Sequence, residues 1–369
     1  MRIGIDCRLA GRQHAGIGRY TAELVRYLVN NQAGFKPKSP HTFVLTVASK
    51  AQAQELFLKP PNFVEWAIAP VRHYSLKEQL VMPRVFARQK LDLLHVPHFN
   101  LPLLYRGKVI VTIHDLLWHH QIGGRATTLP VWQYWLKYGF YRLIVARTVA
   151  RARSIIVPSR QVAGEVKRYY PPTEGKIKVI PEGVSIVTKN QKSPRTKPPH
   201  DYLLYVGSLY PHKNIKLVLQ ALQLNPKLKL VIVTARSAFS KDIQEQIGQL
   251  KIKTQVKFYF HLPDRKLAYL YSHAVALIQP SLSEGFGLTG LEAMACSTPV
   301  LASNIPIFRE VYDQAAIFFD PYHPKSLLDA IKSLPTKRQS LVKQGLTRST
   351  QFSWKKMAAQ IFKLYQAAS

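Results

Sequence analysis

Two periods of apolar and polar positions alternate along the 369 residues. Short runs such as RIGIDC, TFVLTVA, LDLLHV, KVIVTIHD and SIIVPS are rich in β-branched residues and apolar on both faces. Strands buried inside a parallel sheet have this character. The segments between them are long enough for crossover helices. YTAELVRYLVN places Leu24, Tyr27 and Leu28 on one helical face. From Lys189 to His200 the pattern lapses, and KNQKSPRTKPPH, polar and Pro-containing, reads as an interdomain linker. It then resumes with YLLYVGS, LKLVIVTA, VKFYF, VALIQPS, PVLAS and AAIFFD, with the helical segments NIKLVLQAL and GLEAMACS among them. FSWKKMAAQIFKLYQAAS closes the chain as an amphipathic helix. The fold class expected is α/β, with two doubly wound Rossmann-like domains at 1–188 and 201–352, a linker at 189–200 and a terminal helix at 353–369.

Composition and the chain's start add four constraints. The apolar fraction of 47% is ample for globular cores and excludes global disorder. Cys7 and Cys296, the only cysteines, make neither a disulfide framework nor a zinc site and favour a reducing, cytoplasmic compartment. The start, MRIGID, reads as a strand and not a signal peptide, and no run reaches the ~20 apolar residues of a spanning helix. The formal net charge is +32, with +17 in residues 1–185 and +15 in 186–369, so no tail carries it. Such a field attracts nucleic acid, anionic lipid or phosphorylated substrates, and charge alone does not choose among them.

Against this surplus of bases, SEGFGLTGLEAMA holds two glutamates, Glu284 and Glu292, around a glycine-rich turn. It follows the strand VALIQPS and opens a helix. Ligands of doubly wound sheets bind beyond such strand ends. Glycines at 285, 287 and 290 let backbone N–H groups approach a ligand, and a helix N-terminus adds positive potential, which suits a diphosphate. Glu292, placed in the first helical turn, can accept from a ribose diol, and Glu284 faces what lies beyond the phosphates. The competing reading makes Glu284 a solvated loop residue and Glu292 a carboxylate favoured by the helix dipole.

The E-x7-E spacing with its internal Gly-Phe-Gly resembles the signature of glycosyltransferase family 4, retaining nucleotide-sugar transferases of the GT-B fold. GIDCRLA…GIGRYTAELVRYL, DLLHVPHFNLPL, VIVTIHDLLW, IIVPSR, KVIPEGV and YVGSLYPHKNI resemble further family segments in the family's order. The resemblance implies two domains facing across a cleft, with the C-terminal helix returning toward the N-terminal one. It implies that Glu292 binds the nucleotide ribose and that Glu284 lies near the donor sugar. The amides around Gly285, Phe286, Gly287 and Leu288 would meet sugar and diphosphate, and Lys213 the diphosphate. His114 would sit at the reacting centre, with Gly16, Gly18 and Arg19 in a loop near the donor phosphates. Many members carry an arginine where this chain has Ser208, and His212 stands where a subgroup has arginine, so the number of fixed positive charges is open. Asp115 is expected to orient the loop. His119 and His120 are not expected to bind metal, because the family needs none and no acidic partner is nearby.

The implied activity moves a hexose from a nucleoside diphosphate sugar to a saccharide or lipid-linked acceptor, with retention and no cofactor. TIHDL and SNIPIFREV resemble bacterial mannosyltransferase-like members, which favours GDP-mannose over a UDP-hexose. The alternatives are a UDP-sugar epimerase of the same fold, disfavoured by the intact glutamate motif, and a basic nucleic-acid-binding protein, for which no binding module is evident. Leu129–Arg153 mixes aromatics with Arg142, Arg147, Arg151 and Arg153 at near-helical intervals. It reads either as an interfacial helix on an anionic membrane surface or as an ordinary crossover helix.

Overall fold

Every strand pair among the described residues is parallel, as runs apolar on both faces require. The computed structural model describes residues 1–11, 15–30, 41–120, 130–173, 175–185, 198–235 and 239–368. They form two units, Met1–Gly183 with Ser353–Ser369, and Val184–Phe352. Nearly all of the expected linker, 189–197, falls outside the described residues.

The first unit runs β1 (Arg2–Asp6), α1 (Ala15–Val29), β2 (Thr42–Val47), α2 (Lys50–Leu56), β3 (Val64–Ile68), α3 (Leu76–Arg88), β4 (Leu93–Val96) and β5 (Val109–Thr112). It continues with α4 (Leu117–His120), α5 (Val131–Arg151), β6 (Ser154–Val157), α6 (Arg160–Tyr169) and β7 (Ile177–Val179). Its sheet order is β3-β2-β1-β4-β5-β6-β7. Ser49, Ser75 and Ser159 cap α2, α3 and α6 by accepting the N–H three residues on. Two edge strands, β3 and β7, escape the periodicity reading. Their partly exposed patterns, VEWAI and IKV, lack the continuous apolar run of the central strands.

The second unit runs β8 (Tyr202–Val206), α7 (Ile215–Leu224), β9 (Lys229–Thr234), α8 (Phe239–Gln249), β10 (Val256–Phe260) and α9 (Asp264–His273). After these come β11 (Ala276–Gln279), α10 (Leu288–Ala295), β12 (Val300–Ser303), α11 (Pro306–Tyr312), β13 (Ala316–Phe319) and α12 (Pro324–Ser349). The order β10-β9-β8-β11-β12-β13 reverses direction between β8 and β11. Clusters of buried residues, one including Leu204, Leu277 and Phe308 and the other Leu203, Ile278 and Leu301, cover the two faces of this sheet.

The last helix, α13 (Trp354–Ala368), packs in the first unit against α1. A Cβ at Gly183 would collide with Trp354, so glycine there lets the helix start dock. A buried polar chain ties α13 to the sheet. The Tyr365 hydroxyl pairs with His95 Nδ1 at 2.6 Å, His95 Nε2 with Thr112 Oγ1 at 2.9 Å, and Thr112 with the Tyr20 hydroxyl at 3.0 Å. Burial, and then the nearby His114, hold the His95 pKa down at about 3, so the imidazole is neutral. A neutral ring between two hydroxyls can be fully satisfied.

Replacing Tyr365 with Phe strands the His95 nitrogen in the core. The expected cost is about 1–3 kcal/mol, measured as a lower urea midpoint at unchanged m-value. Lys363→Ala, on the exposed side of the same helix, should leave the midpoint in place.

Candidate active site

In the second unit, the loops after β8 and β11 converge. Beyond β8 the chain passes Gly207 and Ser208, whose carbonyl accepts from the Tyr205 hydroxyl at 2.5 Å, then forms a short 3-10 turn over Pro211–Lys213. Asn214 follows in the left-handed region (φ 53°), a conformation asparagine tolerates better than most residues. Its amide donates to the Pro321 carbonyl at 2.8 Å. The His212 carbonyl accepts from the Leu282 N–H at 2.8 Å, stitching the two loops. Across that stitch Lys213 Nζ donates to Glu284 Oε1 at 2.6 Å, and the Ser281 hydroxyl donates to the same oxygen at 2.8 Å. Glu284 Oε2 takes no hydrogen bond from any described residue.

Burial would raise the Glu284 pKa, but the Lys213 charge, its hydrogen bond and Ser281 outweigh it and hold the carboxyl below its ordinary value. His212 is pushed down to about 4, by burial first and then by the neighbouring Lys213. The residue standing in for the subgroup's arginine is therefore neutral near pH 7. Lys213 supplies the fixed charge of this loop.

Two glycines of this loop–helix junction are required by packing. Gly287 has φ 95° and caps α10, and a Cβ at Gly287 or at Gly290 would collide with the Tyr312 ring or hydroxyl. The Tyr312 hydroxyl lies against Gln279 Oε1 and is 2.5 Å from the Gly287 carbonyl. Phe286 is buried and meets Phe352 edge-on at 5.5 Å, so only its backbone is placed for a ligand. Gly285 and Leu288 are partly exposed. No side chain caps α10; the Gly290 N–H reaches the Gly287 carbonyl at 3.1 Å, and the Leu288 and Thr289 N–H groups come before the first intrahelical acceptor. Glu292 departs from its expected place. It lies in the second turn, buried, where the Tyr271 hydroxyl donates to its Oε2 at 2.9 Å. That tyrosine holds one of its oxygens.

In the first unit His114 lies just beyond β5, buried. Its Nδ1 is 3.0 Å from Glu182 Oε1 and its Nε2 3.2 Å from the Pro97 carbonyl, with the Tyr20 ring edge-on at 4.6 Å. Both partners are acceptors, so an oxygen faces each ring nitrogen. Glu182 sits in KVIPEGV, a segment quoted in the sequence reading without a role for this residue. Asp115 Oδ1 accepts the Leu117 N–H at 3.2 Å and so turns the chain into α4. His119 spans the hydroxyls of Tyr141 and Tyr170 at 2.7 and 2.8 Å, a structural role, and the side chain of His120 is outside the described residues. No metal-binding group of His, Cys, Asp or Glu occurs among the described residues. Gly16 and Gly18 stand in the first turn of α1 instead of in a loop. Gly16 is exposed, while a Cβ on Gly18 would strike the Gly11 carbonyl, so the helix start lies on the β1–α1 connection. Arg19 follows at the start of the second turn, partly exposed.

Periodicity misses a buried ionic cluster just past β1. Arg8 donates to Asp6 Oδ2 at 2.6 Å, to Glu78 Oε1 at 2.8 Å and to the Val71 carbonyl at 3.2 Å. Asn100 and the Tyr74 amide donate to Glu78 Oε2 at 2.6 and 2.7 Å. Asp6-Cys7-Arg8 at the end of a buried strand is the one sequence signal for it.

Two family models together match residues 14–360. Residues 14–187 match the model described as Glycosyltransferase Family 4, and residues 187–360 the one described as Glycosyl transferases group 1. The chain is 32% identical over 238 residues to the O-antigen chain mannosyltransferase RfbU of Salmonella typhimurium, covering 64% of this chain and 63% of that protein. It is 32% identical over 173 residues to O-antigen chain mannosyltransferase B of Escherichia coli, 45% of each. The chain thus spans less than two thirds of the length of these relatives. Among solved structures, sucrose-phosphate synthase from Thermosynechococcus elongatus superposes with a TM-score of 0.77 at 20% identity over all of both chains. WaaG, a glycosyltransferase involved in lipopolysaccharide biosynthesis, gives 0.72 at 15% identity over 97% of this chain and 99% of that one. Both likenesses speak for the fold.

The ionic cluster has a measurable sign. Burial opposes ionisation of Asp6, but Arg8 outweighs it and holds its pKa below the ordinary value. The stability Asp6 adds is then complete above its unfolded value of about 4 and is lost as pH falls through the lower folded value. Arg8→Met leaves a buried carboxylate without its cation, at about 3–5 kcal/mol. Asp6 should then take up its proton more readily folded than unfolded, so this variant should gain stability from pH 7 toward 4. Urea midpoints across that range read the reversal.

Proposed function

The chain belongs to glycosyltransferase family 4, and on that premise we propose that it is a retaining hexosyltransferase. It moves mannose from GDP-mannose, in preference to a hexose from a UDP-sugar, to a saccharide or lipid-linked acceptor in polysaccharide or glycolipid synthesis. The observation that carries this reading is the Lys213–Glu284 pair beside the uncapped start of α10. One Lys213 proton is spent on Glu284, and two remain for a diphosphate. The free Oε2 of Glu284 accepts a donor-sugar hydroxyl, and the amides of Phe286, Gly287 and Leu288 receive the phosphates. Glu292, aimed by Tyr271, accepts from the ribose. Ser208 and Gly285 leave backbone room beside the diphosphate. The first unit serves the acceptor, with His114 as its reacting-centre residue and Glu182 positioning that ring.

The chemistry is a same-face substitution. The bond from the anomeric carbon to the β-phosphate oxygen breaks, the acceptor oxygen bonds to that carbon on the same face, and the acceptor proton passes to the departing phosphate. Charge grows on the diphosphate during this step, so the groups fixed around it lower the barrier. Glu284 and Glu292 bind donor and do not act as the paired carboxylates of a retaining glycosidase.

Five measurements test the reading. GDP should raise the melting temperature more than UDP, and duplex DNA should act only at low salt. Lys213→Gln should lower kcat/KM by about 100-fold or more, while His212→Gln stays within about threefold of wild type. Because His212 is already neutral, GDP-mannose affinity should stay flat between about pH 5 and 8. A fall centred near pH 6.5 would contradict that. Transfer should survive excess chelator, and NMR of the product should show the donor's anomeric configuration. An inverted product would refute the retaining assignment.

A further inference from the structure

Helix α5 has two apolar faces. Tyr134, Tyr141, Val145 and Val149 pack into the first unit. On the opposite side Trp132, Trp135, Leu136, Phe140 and Leu143 recur every three or four residues and point to solvent, Trp132 at 68% and Leu136 at 57% exposure. Trp118 on α4 is half exposed and lies against Tyr141, on the packed side of α5. Isolated exposed apolar residues need no explanation, but a contiguous stripe of large ones marks a contact surface.

Charge selects the occupant. No Asp or Glu occurs between Asp115 and Glu165, and Lys137 and Arg147 are exposed on α5 itself. A protein partner of matching chemistry would have to be both apolar and acidic over about 30 Å, the length of a 21-residue helix. An anionic bilayer offers both, with acyl chains for the stripe and phosphates for the bases. No described helix is long and apolar enough to cross a membrane, which suits a helix lying in the interface. Of the four arginines named from the sequence, Arg147 is the one that joins this contact. Arg142 lies over the Tyr169 ring and donates to the Tyr138 hydroxyl, Arg153 donates to the Ala368 carbonyl, and Arg151 is partly buried.

We infer that the exposed aromatic face of α5 inserts into the interface of an anionic lipid bilayer and holds the first unit on the membrane. Insertion is led by Trp132, Trp135 and Phe140, with Lys137 and Arg147 on the headgroups. The inference deepens the proposed function by giving it a lipid-linked acceptor, and rests on that reading only for this purpose.

The test uses the full chain and vesicles of phosphatidylglycerol or of phosphatidylcholine, without acceptor or donor, so it is independent of activity. Wild type should float with phosphatidylglycerol vesicles and keep much of that binding in about 0.5 M NaCl, where surface charge is screened. Trp132→Gln/Trp135→Gln/Phe140→Gln should lower the partition coefficient by about tenfold or more, a change of 1.4 kcal/mol. These side chains are exposed, so the melting temperature should hold. Lys137→Gln/Arg147→Gln should remove the preference for anionic over zwitterionic vesicles. Equal flotation of wild type and the aromatic variant overturns the proposal, as does no flotation of wild type. So does light scattering that finds a wild-type dimer dissociated by the aromatic changes, which would assign the face to a second copy. Flotation with failed transfer of mannose would leave this surface standing and refute the donor reading.

Discussion

A parallel sheet with both faces apolar has to be covered on both sides, and its consecutive strands can be joined only by crossovers that return the chain to the same edge. In both sheets this places every strand's carboxyl end along one rim. The loops at that rim carry Lys213, Glu284 and the start of α10 in one unit, and His114 with the Asp6–Arg8–Glu78 cluster in the other. Chemistry collects there because the backbone at a strand's end is free to turn toward a ligand while the strand itself is fixed by burial.

Within that arrangement, scarce carboxylates are used to fix bases. Glu284 fixes Lys213, Glu182 fixes His114, and Asp6 with Glu78 fixes Arg8. A lysine on a long stem in a strongly cationic chain would otherwise be a diffuse charge. Drawn to 2.6 Å from one oxygen of Glu284, it becomes a located one, and the second oxygen is left for hydrogen bonding. His212 is the counterpart, a base adjacent in sequence that burial and Lys213 keep neutral.

The first unit joins its reacting-centre candidate to the last helix of the chain through shared side chains. Tyr20 touches the His114 ring and through Thr112 and His95 reaches Tyr365 of α13, so the end of the chain supports the packing around the histidine. The same unit turns α5 outward with an apolar face, which couples a surface role to the fold that holds the site.

The sequence by itself determined the central strands, the two-unit pattern and the loop–helix junction around Glu284, because continuous apolar runs and glycine turns record burial and backbone constraint locally. It also carried the family resemblance that the matches over 14–187 and 187–360 bear out. Edge strands β3 and β7 were not legible, since half-exposed strands need no unbroken apolar run. Tertiary structure alone decided that Gly287 and Gly290 are held open by Tyr312, that Glu292 sits one turn further into its helix under Tyr271, and that Gly18 belongs to α1. It alone paired Arg8 with Glu78, 70 residues on, and left one face of α5 in water. Each of these depends on a partner far away in the chain, and spacing within a segment holds no information about such partners.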